Sequence, residues 1–266
     1  MSSAKSTRIS GTKEWSVESV NVVFGCPHRC RYCYARARAL RFCQIAAPGD
    51  WGTSAHRLRP SEIRKRRKPV DGRVMFPTTH DITPEFLQPC LDVIGRILAA
   101  GNELLIVSKP HLSCIKAICR QFVGFRESIL FRFTICAVDD RILGYWEPGA
   151  PAFSERLESL KHAHAAGFAT SVSAEPLLDA PHVVELVDTL EPYVTDSIWI
   201  GKMNGMGSRL LPGTEPREIA RIEAGQTDES VRAIYARLKG HPLVKWKESY
   251  KEVLGLELVS VPGLDV

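Results

Sequence analysis

The sequence predicts an α/β fold, a partial (β/α)6 barrel with a C-terminal helical or extended segment closing its open side. Three observations carry this. Six short runs rich in β-branched and aromatic residues each end in polar residues, and helically spaced apolar positions follow. This is the pattern of parallel βαβ units rather than of a sandwich. The chain has 266 residues, and about 250 is typical of a single barrel. Three of its eight cysteines fall between Cys26 and Cys33, directly after the first run. That puts a metal-holding type of loop at the C-terminal end of a strand, where α/β sheets place their chemistry.

The composition, 44% hydrophobic and 24% charged, is that of a soluble globular protein, and no apolar run is long enough to span a bilayer. The start, Met1-Ser2-Ser3-Ala4-Lys5, lacks an apolar signal segment, so a cytoplasmic location without membrane association is expected. Cys43, Cys90, Cys114, Cys119 and Cys136 are scattered, as free buried thiols in a reducing compartment are. The net charge of +5 is unevenly spread: residues 1–73 carry sixteen Lys and Arg against five Asp and Glu. Such asymmetry is the footprint of a polyanionic partner, or of a solvated basic surface.

In chain order, residues 1–19 read as an N-terminal arm, loosely ordered over its first fourteen residues, residues 20–205 as the barrel, and residues 206–266 as a C-terminal extension. Val20 to Phe24 is the first strand, buried and β-branched, and a helix begins at Tyr34 with Arg36, Arg38 and Arg41 among alanines. Residues 45–72 form a basic insertion with Arg64, Lys65, Arg66, Arg67 and Lys68, a candidate phosphate-contacting lid for nucleic acid; within it Pro60 to Ile63 opens a helix. Arg73 to Phe76 is the second strand. Thr83 and Pro84 start a helix that Gly101 stops. Leu104 to Lys109 is the third strand, Ser128 to Cys136 the fourth, Thr170 to Glu175 the fifth and Ser197 to Gly201 the sixth. A helix from Phe153 to Ala166, carrying Arg156 on its polar side, precedes the fifth strand, another from His182 to Leu190 follows it, and Thr227 to Gly240 is a helix of the tail.

If all strand tips face one mouth, His80, Asp81, Ser108, Lys109, Thr134, Ser173, Glu175 and Asn204 converge on the cysteine loop. Three thiolates are one fewer than a closed zinc site or a fully protein-ligated iron-sulfur cube needs. The residues admit three readings: a cluster with one open coordination position, a zinc knuckle with His28 as fourth ligand, or cysteines packed as small apolar groups.

Cys26-x-x-x-Cys30-x-Tyr32-Cys33 resembles the cysteine motif of the radical S-adenosylmethionine (SAM) enzymes. The resemblance implies a 4Fe-4S cluster ligated by Cys26, Cys30 and Cys33, SAM on the fourth iron, and reductive cleavage of SAM to a 5'-deoxyadenosyl radical that takes a hydrogen atom from substrate. It also implies an electron donor such as flavodoxin or ferredoxin. The tips match SAM's needs: Lys109 for its carboxylate, Glu175 or Ser173 for ribose or ammonium, the backbone at Tyr32 and Met203 for adenine, with Thr78, His80, Asp81, Ser108, Thr134 and Asn204 completing the candidate cofactor-binding set.

Within that superfamily, the cluster motif followed by Tyr34-Ala35, the Thr78–Asp81 tip, Ser108-Lys109, and the Arg156-Leu157 helix before Ala174-Glu175-Pro176 resemble the spore photoproduct lyase group. One position departs from it. Those lyases carry a cysteine at the second tip that returns a hydrogen atom to the product radical, and Thr78 stands there. Hydrogen return by that route then requires Cys43, Cys90 or Cys136 at the mouth. Two other functions stay open, a zinc- or cluster-stapled nucleic-acid-binding protein without SAM turnover and a cluster-bearing regulator.

Overall fold

The computed structural model describes residues 9–264. Its frame is a seven-stranded, wholly parallel sheet. Strand β1 is Glu18–Ser19; β2, Val23–Phe24, and β3, Arg57–Leu58, form a separate antiparallel pair. The sheet continues through β4 (Arg73–Phe76), β5 (Glu103–Ser108), β6 (Ile129–Thr134), β7 (Ala169–Ala174), β8 (Ile198–Ile200) and β9 (Val244–Trp246). Its order is β1-β4-β5-β6-β7-β8-β9. A parallel sheet buried on both faces explains why β6 is buried at all six positions and reads as a continuous apolar run broken by Arg132 alone.

The helices between strands cover the outer face. Leu87–Ala99 buries Cys90, Leu91, Val93, Ile94, Ile97 and Leu98, a gross hydrophobic gain on the order of 10 kcal/mol before chain entropy is subtracted. Trp15, Met75, Leu105, Leu130 and Trp199 form a second cluster on the inner face. Trp15 meets Trp199 edge-on at 5.6 Å, and the Arg132 guanidinium lies 4.7 Å from the Trp15 ring. A charge is tolerated there because Arg132 also donates to Ser171 Oγ at 2.9 Å and pairs with Asp196.

Five expectations need correction. The first strand is split, not continuous over Val20 to Phe24: Asn21 Oδ1 accepts from the Thr78 and Thr79 amides, at 2.8 and 2.7 Å, and turns the chain off the sheet so that β2 pairs with β3. Residues 9–14 are not a loose arm, since Gly11–Glu14 is a 3-10 turn with Glu14 fully buried; residues 1–8 lie outside the described residues. Arg156 is buried rather than solvated, because Glu147 neutralises it. The basic run is not a lid over the mouth: it lies beside Glu18, Val74 and Asn102, at the strand starts, the opposite end of the sheet. The tail supplies a seventh strand, β9, on the edge of β8, and three helices outside the expected one, Met206–Arg209, Pro216–Gly225 and Glu248–Leu254.

Candidate active site

The cysteine loop leaves β2 at Gly25, whose φ of +87° suits glycine, and a Cβ there would lie 2.6 Å from the Trp51 carbonyl oxygen. Cys26 N donates to that oxygen at 3.0 Å. On its far side the loop is held by Gly149 N to the His28 carbonyl, 3.0 Å, and by Arg31 N to the Trp146 carbonyl, 2.8 Å. Cys33 caps the helix Tyr34–Arg41, its Sγ accepting from Arg36 N. Arg36 is buried, and its guanidinium donates to the carbonyls of Cys30, Arg31 and Arg209. It pins the loop and gathers carbonyls that would otherwise be unsatisfied.

Cys26, Cys30 and Cys33 line one wall of a cavity of about 660 Å³ at the C-terminal ends of the strands. Every candidate cofactor-binding residue singled out from the sequence lines it too: Tyr32, Thr78, His80, Asp81, Ser108, Lys109, Thr134, Ser173, Glu175, Met203 and Asn204. They divide by what their polar atoms already do. Asp81 is a hub, accepting from His28 Nδ1 at 2.8 Å, Lys109 N at 2.7 Å and Ser108 Oγ at 3.0 Å, with Cys26 Sγ 3.7 Å away. Burial raises the pKa of this carboxyl, but Lys109 and His28 outweigh it and hold the group well below the usual range. His80 accepts from Val22 N at Nε2, and burial lowers its pKa to about 4, so it serves as a neutral brace. The Thr78 hydroxyl accepts from Asn21 Nδ2 at 2.7 Å, and Met203 N donates to Gln226. Among the described residues, no hydrogen bond engages the side chains of Thr134, Ser173 or Asn204.

Two buried charge groups flank the cavity, and both were missed from the sequence. Tyr32 donates to Glu147, which pairs with Arg156 at 2.6 Å, both ions being fully buried. Burial raises the Glu147 pKa, yet Arg156 and Lys109 carry it below the ordinary value. Burial likewise disfavours the Lys109 ammonium, but Cys30, Asp81 and Glu147 push its pKa well up. On the other side, Lys247 contacts Glu14, Glu248 at 3.5 Å and Glu175 at 3.6 Å. Glu14, Lys247 and Glu147 belong to segments with no periodic or motif signal, and their partners are distant in sequence.

The donor set fits an iron-sulfur cluster. All eight cysteines are free, and only Cys26, Cys30 and Cys33 of them line the cavity among the described residues. Burial raises the Cys26 thiol pKa well above its ordinary value and the Cys30 thiol to about 12; a cation bound there would reverse that penalty. Cys26, His28 and Asp81 also have donor atoms within 4.8 Å of one another. His28 is committed, however, to Asp81 at Nδ1 and to His111 at Nε2, 2.9 Å away. Cys43 is exposed and Cys90 packs in a helix core, while Cys136 lies buried outside the cavity wall.

No family model matches the chain. Over 92% of its length it superimposes on spore photoproduct lyase complexed with dinucleoside spore photoproduct, with TM-score 0.56, 15% identity and 79% of that chain covered. The fold is that of the radical SAM enzymes. It also matches SuiB of Streptococcus suis bound to S-adenosylmethionine, with TM-score 0.54, 11% identity, and 93% of this chain and 54% of that one covered. In sequence it is 25% identical over 205 residues to the uncharacterized protein ORF301 of Acidianus two-tailed virus, covering 72% of this chain and 66% of that one. The chain thus spans about two thirds of that protein and about half of SuiB. No helix among the described residues is long and apolar enough to cross a membrane.

Proposed function

We propose that this protein is a radical SAM enzyme, with a 4Fe-4S cluster on Cys26, Cys30 and Cys33 and SAM in the adjoining cavity. One observation carries the reading: the three sulfurs share a wall of a 660 Å³ cavity with every polar strand tip, in a fold whose solved examples include SAM-bound proteins. Such a cluster, when bound, supplies the electron that splits SAM into methionine and a 5'-deoxyadenosyl radical. The residues' own tasks follow from their surroundings. Lys109, kept protonated by its acidic neighbours and pointing its ammonium 3.9 Å from Asp81, suits the SAM carboxylate. Glu175 lines the same cavity, paired with Lys247, and suits an ammonium or ribose hydroxyl. Thr134, Ser173 and Asn204 offer uncommitted hydrogen-bonding groups between them. The Asp81, His80 and Arg36 contacts hold the loop and the tips in place.

The substrate class we test first is nucleic acid. Arg29 and Arg209 line the cavity, Arg209 also lies 6.0 Å from the exposed Tyr34 ring, and neither arginine is within salt-bridge distance of a carboxylate among the described residues. Phosphates suit guanidinium groups, Arg209 also acting on Glu175, and bases suit the ring. The Thr78 hydroxyl has too strong an O–H bond to return hydrogen to a carbon radical, so the reaction differs in that step from one using a cysteine at this tip.

Anaerobic reconstitution with iron and sulfide, then dithionite in place of a flavodoxin or ferredoxin donor, and SAM, should release 5'-deoxyadenosine. Cys30→Ala should abolish the release; equal release from both would sink the reading. The Cys26, His28 and Asp81 group favours a second one, a metal-stapled nucleic-acid-binding protein. Zinc without iron or sulfide in anaerobically purified protein would select it.

A further inference from the structure

The five consecutive cations Arg64 to Lys68 take no part in the site above. Four of them, Lys65, Arg66, Arg67 and Lys68, line a separate pocket of about 300 Å³ with Glu18, Val20, Val74, Ile97 and Asn102, at the opposite end of the sheet from the cysteines. The loop is anchored, not floppy. Asn102, itself buried, donates from Nδ2 to the Lys68 carbonyl at 3.1 Å and accepts from Val70 N at 2.9 Å. Arg96 holds the preceding turn through the Ile63 carbonyl at 2.6 Å. Fixing like charges side by side around a concavity raises their mutual repulsion, and an anion relieves it.

Charge pairing within the chain relieves it only at Arg67. Arg67 reaches Glu62 at 3.7 Å, and Arg64, Lys65, Arg66 and Lys68 have no carboxylate partner among the described residues. The Arg67 side chain is only 5% exposed, and its Nε is buried without a hydrogen-bond acceptor. A buried guanidinium N–H left unpaired at a pocket wall marks a position where an acceptor is missing. Glu18 is the one carboxylate on the wall, opposed by four cations.

We propose that this pocket binds a phosphate group, of a small polyphosphate or of a nucleic-acid backbone, remote from the radical-generating cavity. The guanidinium of Arg67 takes the phosphate oxygens, and Lys65, Arg66 and Lys68 neutralise its charge. The inference stands whether or not the protein cleaves SAM.

The test uses the full chain with two probes, tripolyphosphate by calorimetry and a short fluorescein-labelled single-stranded oligonucleotide by anisotropy, at two salt concentrations. Arg67→Gln and the double variant Lys65→Gln/Lys68→Gln should weaken binding by roughly tenfold or more and reduce its salt dependence. Arg120→Gln, which removes an exposed charge elsewhere, should bind as wild type. Binding of tripolyphosphate assigns the site to small phosphates, and binding of the oligonucleotide alone assigns it to a backbone. Should Arg67→Gln fail to fold, the double variant at exposed lysines decides alone. No binding of either probe, or equal weakening by Arg120→Gln and the double variant, overturns the proposal.

Discussion

Glu147 and Arg156 are both fully buried, and each is tolerable only because the other is there. Arg156 donates further to the Pro151 carbonyl at 2.7 Å and to the Thr134 carbonyl at 3.2 Å, and Tyr32 donates to Glu147. Removing one ion strands the other in a medium that cannot solvate it. Arg156→Met should therefore cost about 3–5 kcal/mol in urea unfolding, while Arg156→Met/Glu147→Leu should recover a large part of that loss. If the double variant is no more stable than the single one, the pair is not what holds this wall. The reading of Arg156 as a polar-face residue failed for a definite reason. Helical spacing says which side a residue is on, but not that a carboxylate from the loop after Trp146 waits beneath it.

At the level of elements, the cysteine loop is shaped by contacts to the insertion more than by its own sequence. Gly25 has φ +87°, and Trp51 and Ala55 pack against its Cα side closely enough that any Cβ would fall within 2.8 Å of their backbone. Gly25→Ala should cost about 1–3 kcal/mol for the backbone alone and shift Cys26 relative to Cys30 and Cys33. Iron and sulfide content after reconstitution should then fall well below wild type, even where circular dichroism is unchanged; full loading of the variant would refute this account of the loop. The insertion thus has a structural task that its composition hid. Trp51 is buried, its ring 5.3 Å from Phe24, and β3 completes the pair that launches the loop. Its basic run points elsewhere, to the strand starts.

Across the whole molecule, the N-terminal segment and the tail meet at one buried charge group. Lys247, just past β9, contacts Glu14, Glu175 and Glu248 and donates to the Gly11 carbonyl at 2.9 Å. One ammonium does not balance three carboxylates, and burial raises the Glu14 pKa to about 7 against Lys247's opposing pull. Because this pKa is raised on folding, the folded state favours protonated Glu14. Its contribution to stability is full below about pH 4.5 and is lost as pH rises through about 7. Glu14→Gln should remove that decline, flattening the pH 5–8 profile by on the order of 1–3 kcal/mol, read by urea unfolding at each pH. Parallel loss in wild type and variant across that window would contradict the assignment.

The local elements were legible because each is set by its own residues. Arg73–Phe76 was read to the residue, β5 to β7 to within two residues, and the helices ended at Gly101 and Gly167, where φ is positive. Alternation of apolar runs with polar tips was enough to bring the ten tip residues to one cavity with Tyr32 and the three cysteines, since parallel strands with right-handed crossovers must place their C-terminal ends together. Pairing between distant segments was decided only by the tertiary structure. Asn21 turning the chain off the sheet between β1 and β2, Arg36 gathering three carbonyls, Glu147 under Arg156, Lys247 among three carboxylates and the basic run at the strand starts all depend on which segment lies opposite. Burial gives those contacts their strength, and burial is a property of the assembled fold, not of the chain order.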